Sequence, residues 1–257
     1  MYDNTRLNAV TVISHARLLF IAIQSSSEIG VKDKDYLLNV WERVTFRIFG
    51  IAKKDSRFAN GDYIRLSHKI FNSKLKDVIE ISNEIKSIGN SYPIENTFIT
   101  LLQERDCYNG WEMELRYFFY RYEEYLSKQN NIKLNSTLWE HIWNTNVNNS
   151  IEHIFPQNPD SSSWSGKFGI GKNVIINNVH RLGNLVLLPP EINSKASRLP
   201  FSDKKKLYKK VNLLILKDIV NKHDWNREQV DNREKELLKF AIETWGVTSH
   251  GVCKMNA

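Results

Sequence analysis

The sequence predicts an α+β fold that is predominantly helical. Three observations favour it. Apolar residues recur at helical spacing through most of the first half, two short apolar segments follow residue 148 with a long polar connection between them, and helical spacing returns at the end. The first pattern places a helical domain at residues 1–147, and the other two place a second domain at residues 148–257. With 257 residues, of which 41% are hydrophobic, the chain can bury a substantial core.

Helical spacing accounts for most of the first domain. Two helices are expected between residues 63 and 87, and they end before Pro93 because the residue that precedes a proline disfavours the helical conformation. The last helix carries Leu115, Phe118, Phe119 and Tyr122, whose stripe favours core packing over stacking on bases. The predicted helical ranges are 5–27, 35–51, 63–87, 95–104 and 110–128.

The composition changes after the first domain. Residues 130–147 are rich in Asn and poor in helical spacing, which predicts a connector. The segments IEHIF and LVLL predict two short strands, joined by a loop that is rich in Gly, Ser and Asn. The ranges are 151–155 and 185–188 for the strands, 156–179 for the loop, 191–201 for a short helix or turn, and 202–220 and 226–246 for two helices.

Charge is distributed unevenly along the chain. Residues 1–150 carry 19 Lys and Arg against 18 Asp and Glu, whereas residues 151–257 carry 17 against 11, so the net charges are +1 and +6. A cationic half suits a polyanion such as nucleic acid, although a solvated basic surface explains the same numbers. No apolar run is long enough to span a membrane and no signal peptide precedes the first helix, so we expect a cytoplasmic protein.

Chemistry is concentrated in the segment SIEHIFPQ, where a carboxylate and an imidazole are neighbours. Adjacent side chains of a strand point to opposite faces, so Glu152 and His153 cannot both enter a core. A second EHI triplet contains His141, but it lacks the following Pro-Gln and predicts a structural residue. Asn184 and Asn193 follow downstream. Carboxylate, imidazole and carboxamide groups suit Mg²⁺ or Mn²⁺, and the two cysteines, Cys107 and Cys253, are too few for a zinc site built on Cys pairs.

These segments resemble the HNH, or His-Me finger, nucleases, whose ββα-metal unit has an acidic-His pair on its first strand. The matching parts are IEHIFPQ, then HRLGNLVLL, then Asn193 and LPFSDKKKLY, with Trp225 and Arg233 near the end. More narrowly, they resemble the C-terminal nuclease domain of GmrSD-type, modification-dependent (type IV) restriction enzymes. The resemblance covers about residues 148–246, and the segment LRYFFYRYEEYL extends it more weakly into the first half.

The resemblance implies a role for each matching residue. His153 would be the general base that takes a proton from the attacking water, so activity should fall at acidic pH. Glu152 and Asn193 would hold one divalent cation, Mg²⁺ or Mn²⁺, against the scissile phosphate. Asn184 would support catalysis by bracing the loop and orienting the histidine.

Several basic residues near these motifs are candidate phosphate contacts. The run DKKKLYKK is equally well explained as a solvated helix face, but its position after the expected metal helix favours DNA contact. The candidate nucleic-acid-binding residues are His180, Arg181, Lys195, Arg198, Lys204, Lys205 and Lys206.

We therefore expect a metal-dependent DNA endonuclease of restriction or anti-phage defence, acting on modified or unmodified DNA. The alternative is a nucleic-acid-binding or partner-docking subunit whose nuclease site is silent without an NTPase partner. The ParB-like NTP-handling domain that accompanies GmrSD-type nucleases has no counterpart in the sequence, so a nuclease subunit or a fragment is expected. No residue distinguishes DNA from RNA as the substrate.

Overall fold

The computed structural model describes residues 10, 12–90, 100, 102–103, 106–168 and 172–246. The chain forms two compact units. One comprises Met1–Leu101 with Ala241–Ala257, and the other comprises Leu102–Phe240. Packing does not test where a functional domain begins, so the division at residues 147 and 148 stays a prediction.

The first unit is helical in its described part. Its helices are α1 Ser14–Ser25, α2 Val31–Thr45, a π-helical continuation at Phe46–Ile51, α3 Asn60–Phe71 and α4 Val78–Asn90. Apolar side chains at helical spacing, such as Leu19, Leu38 and Ile85, are fully buried between them. The helices predicted at 35–51 and 63–87 are therefore present with shifted ends, and the described part of the range 5–27 contains α1. Residues 5–9 and 11, and most of the range 95–104, lie outside the described residues.

The second unit contains the remaining helices and both described strands. Its helices are α5 Glu112–Gln129, α6 Ser136–Trp143, α7 Val147–Ser150, α8 Ser161–Phe168, α9 Lys172–Val179, α10 Pro190–Ala196, α11 Phe201–Tyr208 and α12 Lys217–Asn221. The last helix, α13 at Arg227–Trp245, begins in this unit and ends in the first. Leu115, Phe118 and Phe119 of α5 are buried, as their predicted role in the core requires.

A short antiparallel sheet lies within the second unit. Strand β1 at Ile151–His153 pairs with β2 at Leu185–Leu187, with Glu152 opposite Val186 and His153 opposite Leu185. All six residues are buried, since the pair is covered on both faces. The predominantly helical α+β class and its two strands are confirmed, and the strands are shorter than the sequence predicted.

Two predicted irregular segments contain helices instead. The expected connector holds α6, because the Asn135 side chain accepts a hydrogen bond from the Leu138 amide at 3.2 Å and caps the helix, while Trp139 and Ile142 are buried. The expected loop at 156–179 holds α8 and α9, and Trp164 and Phe168 of α8 pack against Phe155. Tertiary packing therefore outweighs the weak local helical pattern.

The helix predicted at 202–220 is broken into two. It ends at Tyr208 and resumes through a 3-10 turn at Leu214–Leu216 and α12. The amides of Leu214 and Ile215 donate to the buried carboxylate of Glu123 at 2.7 and 2.8 Å, so they are satisfied outside a continuous helix. Within the described residues, no helix combines the length and the apolar character that crossing a membrane requires.

Candidate active site

A polar cavity of about 550 Å³ opens beside the end of β1 in the second unit. It is lined by four of the predicted site residues, Glu152, His153, Asn193 and Arg198. Strand β1 places the first two, and helix α10 places Asn193. The structure thus brings together residues that are up to 46 positions apart in the sequence. The rest of the lining is Tyr108, Asn148, Ile151, Pro156, Gln157, Asn158, Ser194 and Ser197.

His153 is held at both ring nitrogens. Its Nε2 lies 3.1 Å from Nδ1 of His180, and its Nδ1 lies 3.2 Å from the side-chain nitrogen of Gln157. Tyr108 meets the His153 ring edge to face, with centroids 4.6 Å apart. A side chain fixed on three sides has little rotational freedom left to lose when it binds a reacting group.

The surroundings keep His153 neutral. Burial is the main cause, and the positive charges of a protonated His180 and of Lys204 add to it, so the pKa of His153 is lowered to about 3. A neutral imidazole can accept a proton, as a general base must. The sequence predicts that activity falls as His153 becomes protonated. The lowered pKa places that fall at a pH far below about 6.5, the ordinary pKa of a histidine.

Glu152 takes part in a buried ion pair. Its Oε1 accepts hydrogen bonds from Lys204 Nζ at 2.7 Å and from the Tyr208 hydroxyl at 2.6 Å, and Lys204 also donates to the His153 carbonyl at 2.7 Å. Burial raises the pKa of Glu152 and lowers the pKa of Lys204, while their mutual attraction opposes both shifts. The carboxylate is therefore oriented, and its charge is balanced by a cation of the protein.

Asn184 is enclosed in the interior and braces two segments. Its Oδ1 accepts from the Phe155 amide at 2.8 Å and from the Trp225 indole at 3.1 Å, and its Nδ2 donates to the carbonyls of Phe155 and Val179, each at 2.9 Å. All of its hydrogen-bonding groups are thus used within the protein. This geometry fits the bracing role expected from the resemblance and places the side chain away from the cavity lining.

The loop before β2 is fixed by helix α13. Arg233 donates to the carbonyls of Gly183 and Leu185 at 2.8 and 2.7 Å. A Cβ atom at Gly183 would lie 2.2 Å from the Val230 carbonyl oxygen, so only glycine permits this approach. Trp225 and Arg233, which the sequence motif contains without an evident reason, therefore hold the Asn184 loop.

Asn193 lines the cavity from helix α10. Its Nδ2 donates to the carbonyls of Asn149 and Ile151 at 2.8 and 3.1 Å, which leaves its amide oxygen to point elsewhere. Carboxylate and carboxamide oxygens on one polar cavity fit a hard divalent cation such as Mg²⁺. Within the described residues no three Asp, Glu, His or Cys side chains cluster to bind a metal, so such a site would depend on this mixed set and on a phosphate oxygen.

The predicted phosphate contacts fall into two groups. Lys195 and Arg198 are exposed, and Arg198 lines the cavity. Lys206 is also exposed and pairs with Asp203, and Lys205 donates to the carbonyls of Lys222 and His223. The side chains of Lys195, Arg198 and Lys206 are therefore accessible to solvent.

The other candidates face inward or are already paired. Lys204 is fully buried against Glu152, so a structural role fits it better than a phosphate contact. Arg181 pairs with Asp231 at 2.6 Å and with Glu234. His180 is directed at His153.

Three residues of this site, Tyr208, Gln157 and Tyr108, have no role predicted from the sequence, and Lys204 is predicted there as a phosphate contact. Lys204 and Tyr208 are i and i+4 on α11, and with Phe201 they form a buried stripe that could have separated Lys204 from its exposed neighbours. Gln157 belongs to the matching segment IEHIFPQ, and the resemblance assigns it no role. Tyr108 lies in a segment that carries no local sequence indication of a site.

The fold and the cavity define a mostly helical protein with a neutral, buried imidazole at the end of a short antiparallel strand pair. A family profile described as GmrSD restriction endonucleases, C-terminal domain, matches residues 92–240, which is more than half of the chain. The chain belongs to this family, and the resemblance to the C-terminal domain of GmrSD-type restriction enzymes is confirmed. The family implies a nuclease of the restriction-endonuclease type. No curated protein shows a significant match to the chain.

Proposed function

We propose that the protein is a metal-dependent DNA endonuclease that hydrolyses phosphodiester bonds in restriction or anti-phage defence. The observation that carries the proposal is the convergence of His153, Glu152 and Asn193 on one polar cavity. In this proposal β1, β2 and α10 form a ββα-metal core of the His-Me finger kind, within a nuclease domain at residues 148–257. Family membership supports the reaction class, and the net charge of +6 in that region suits a nucleic-acid substrate.

His153 supplies the base in this mechanism. With Nε2 directed at His180, its Nδ1 is the nitrogen that accepts a proton from water, once the water has replaced the Gln157 amide there. The low pKa of the ring keeps it unprotonated at neutral pH. Arg198, exposed at the cavity, is placed to contact a phosphate of the bound strand.

Glu152 and Asn193 would hold one Mg²⁺ or Mn²⁺ ion. Lys204 and Tyr208 orient the Glu152 carboxylate, and the carbonyls of Asn149 and Ile151 orient the Asn193 amide. Such an ion, when bound, neutralises charge on the phosphate and stabilises the departing oxygen. Because two side chains supply the ligands, part of the coordination would come from the substrate phosphate.

One observation favours a second candidate function. The charge of Glu152 is already balanced by Lys204, so the cavity alone attracts a dication less strongly than a free carboxylate would. This neutralised carboxylate fits a DNA-binding or partner-docking subunit. The nuclease site of such a subunit becomes competent only with an NTPase or ParB-like partner. The same test separates the two functions.

The test compares the two EHI triplets. We expect purified protein to cut plasmid DNA, modified or unmodified, with Mg²⁺ or Mn²⁺ and not with EDTA, and His153→Ala to lower the rate by about 10²- to 10⁴-fold. The matched control is His141→Ala, because His141 is half exposed and contacts Glu191 instead of the cavity. Equal loss in both variants, or undiminished cutting by His153→Ala, would exclude His153 as the base. No cutting by the wild type, with DNA binding retained, would favour the second function.

A further inference from the structure

His180 and Gln157 both contact the imidazole of His153, and the Gln157 side-chain nitrogen lies closer to Nδ1 than to Nε2, at 3.2 and 3.5 Å. The His180 ring nitrogen Nδ1 lies 3.1 Å from His153 Nε2, while Gln157 approaches His153 Nδ1 at 3.2 Å. A neutral imidazole carries one N–H, so one ring nitrogen donates and the other accepts. The Gln157 NH₂ group can only donate, and its shorter contact is with Nδ1, so we take Nδ1 as the acceptor and Nε2 as the nitrogen that donates to His180.

A small shell holds His180 in place. Tyr108 stacks on its ring with the planes 7° apart and the centroids separated by 5.2 Å. The Cys107 amide donates to the His180 carbonyl at 2.9 Å, and Asp106 accepts from the amides of Tyr108 and Asn109. The segment at 106–109 is thereby folded around His180. This support is local and does not involve Arg181, the next residue, which is paired with Asp231 and Glu234.

We infer that His180 is a positioning residue for His153, and that its Nδ1 accepts the His153 Nε2–H and so fixes the tautomer in which Nδ1 of His153 is the proton acceptor. This inference deepens the proposed function and rests on it for its consequence in catalysis. The hydrogen bond itself is a property of the protein without substrate. The sequence predicts His180 as a phosphate contact, whereas under this inference its role is to orient His153.

Two substitutions separate the hydrogen bond from the ring. His180→Asn places an amide oxygen near the position of Nδ1 and keeps an acceptor for His153. His180→Phe keeps a flat ring against Tyr108 and removes the acceptor. A residue that only fills space would tolerate phenylalanine better than asparagine, whereas a positioning residue requires the reverse.

The first measurement is the tautomer of His153, which needs no activity. Long-range ¹H–¹⁵N spectra of the full chain, labelled at histidine, report which ring nitrogen carries the proton, and His153→Gln assigns the signal. We expect the Nε2–H form in the wild type and in His180→Asn, and a mixture of forms in His180→Phe. An unchanged tautomer in His180→Phe would overturn the inference. If circular dichroism shows that His180→Phe does not fold, His180→Ala replaces it in the same comparison.

The second measurement is DNA cleavage. We expect His180→Phe to lower kcat on the order of 10- to 100-fold with little change in KM, and His180→Asn to recover most of that loss. A phosphate contact would instead raise KM in both variants, which would overturn the positioning role. If the wild type cuts no DNA, the proposed function fails, but the tautomer measurement still decides whether His180 orients His153.

Discussion

The contact between Glu152 and Lys204 shows how one residue pair links the fold to the site. Lys204 is wholly buried, and its ammonium group joins the Glu152 carboxylate to the His153 carbonyl. An ion pair in the interior contributes little net stability, because removing both charges from water costs about as much as their attraction returns. The pair instead fixes the orientation of the Glu152 carboxylate, which lines the cavity.

Removal of the lysine should leave an uncompensated charge. We expect Lys204→Met to lower the free energy of unfolding by about 3–5 kcal/mol, because the Glu152 carboxylate would stay buried without its partner. Urea denaturation measures this loss. The matched control is Lys206→Met on the same helix, where the ion pair with Asp203 is largely exposed and is worth less than about 1 kcal/mol. Equal losses in the two variants would contradict the buried pair.

Helix α13 is the element that locks the turn before β2. Its Arg233 binds the carbonyls on either side of Asn184, and its backbone approaches Gly183 closely enough to exclude a side chain there. The bracing of Asn184 thus depends on a helix some 50 positions further along the chain. A methyl group added at Gly183 should therefore push helix α13 away from the turn before β2.

Gly183→Ala tests that contact. Its Cβ would lie 2.2 Å from the Val230 carbonyl oxygen and 2.9 Å from Glu234 Cβ, so we expect a loss of about 1–3 kcal/mol from overpacking. Gly166→Ala in α8 is the control, because its Cβ meets no described atom within 4 Å and should gain up to about 1 kcal/mol of helix stability. Thermal denaturation of both variants provides the comparison. A melting temperature for Gly183→Ala at or above the wild-type value would refute the close approach.

The spacing of apolar residues predicts the amphipathic helices and the two strands that carry the motif. Burial of one face makes apolar residues recur at the period of a helix or a strand, and the sequence shows that period. The spacing does not predict α6 and α8, whose stability comes from capping by Asn135 and from stacking on Phe155. It also does not predict that Lys204 faces inward, since the sequence does not show which face of a charged helix meets a buried carboxylate. That Glu152, His153 and Asn193 lie around one cavity is predictable from the sequence, because they belong to one recognisable motif.

Most of the net positive charge lies in the region from residue 151 onward. Only some of the basic side chains in that region are accessible to solvent. Lys204 and Arg181 pair with carboxylates of the protein, whereas Lys195 and Arg198 are exposed, and Arg198 lines the cavity. Attraction of a polyanion depends on the accessible cations, each of which releases a counterion when it meets a phosphate. DNA affinity should therefore fall steeply with salt.

The salt dependence can be assigned to individual residues. We expect Arg198→Ala and Lys195→Ala each to reduce the slope of log K against log salt by about 1, because each removes one phosphate contact. Arg57→Ala is the control, since Arg57 is highly exposed in the first unit and pairs with Asp55. Fluorescence anisotropy with a labelled duplex over a range of salt concentrations measures the slopes. A reduced slope for Arg57→Ala alone would place the DNA on the first unit instead.

The order of the chain also has a consequence for biosynthesis. Strand β1 must pair with a strand that begins 32 residues after its own last residue, and the turn before that strand waits for Trp225 and Arg233. Pairings of such large sequence separation form slowly, because the intervening chain must first close. A polypeptide still emerging from the ribosome therefore carries His153 and Glu152 without the contacts that hold their cavity together. Assembly is thereby delayed until translation has passed Arg233.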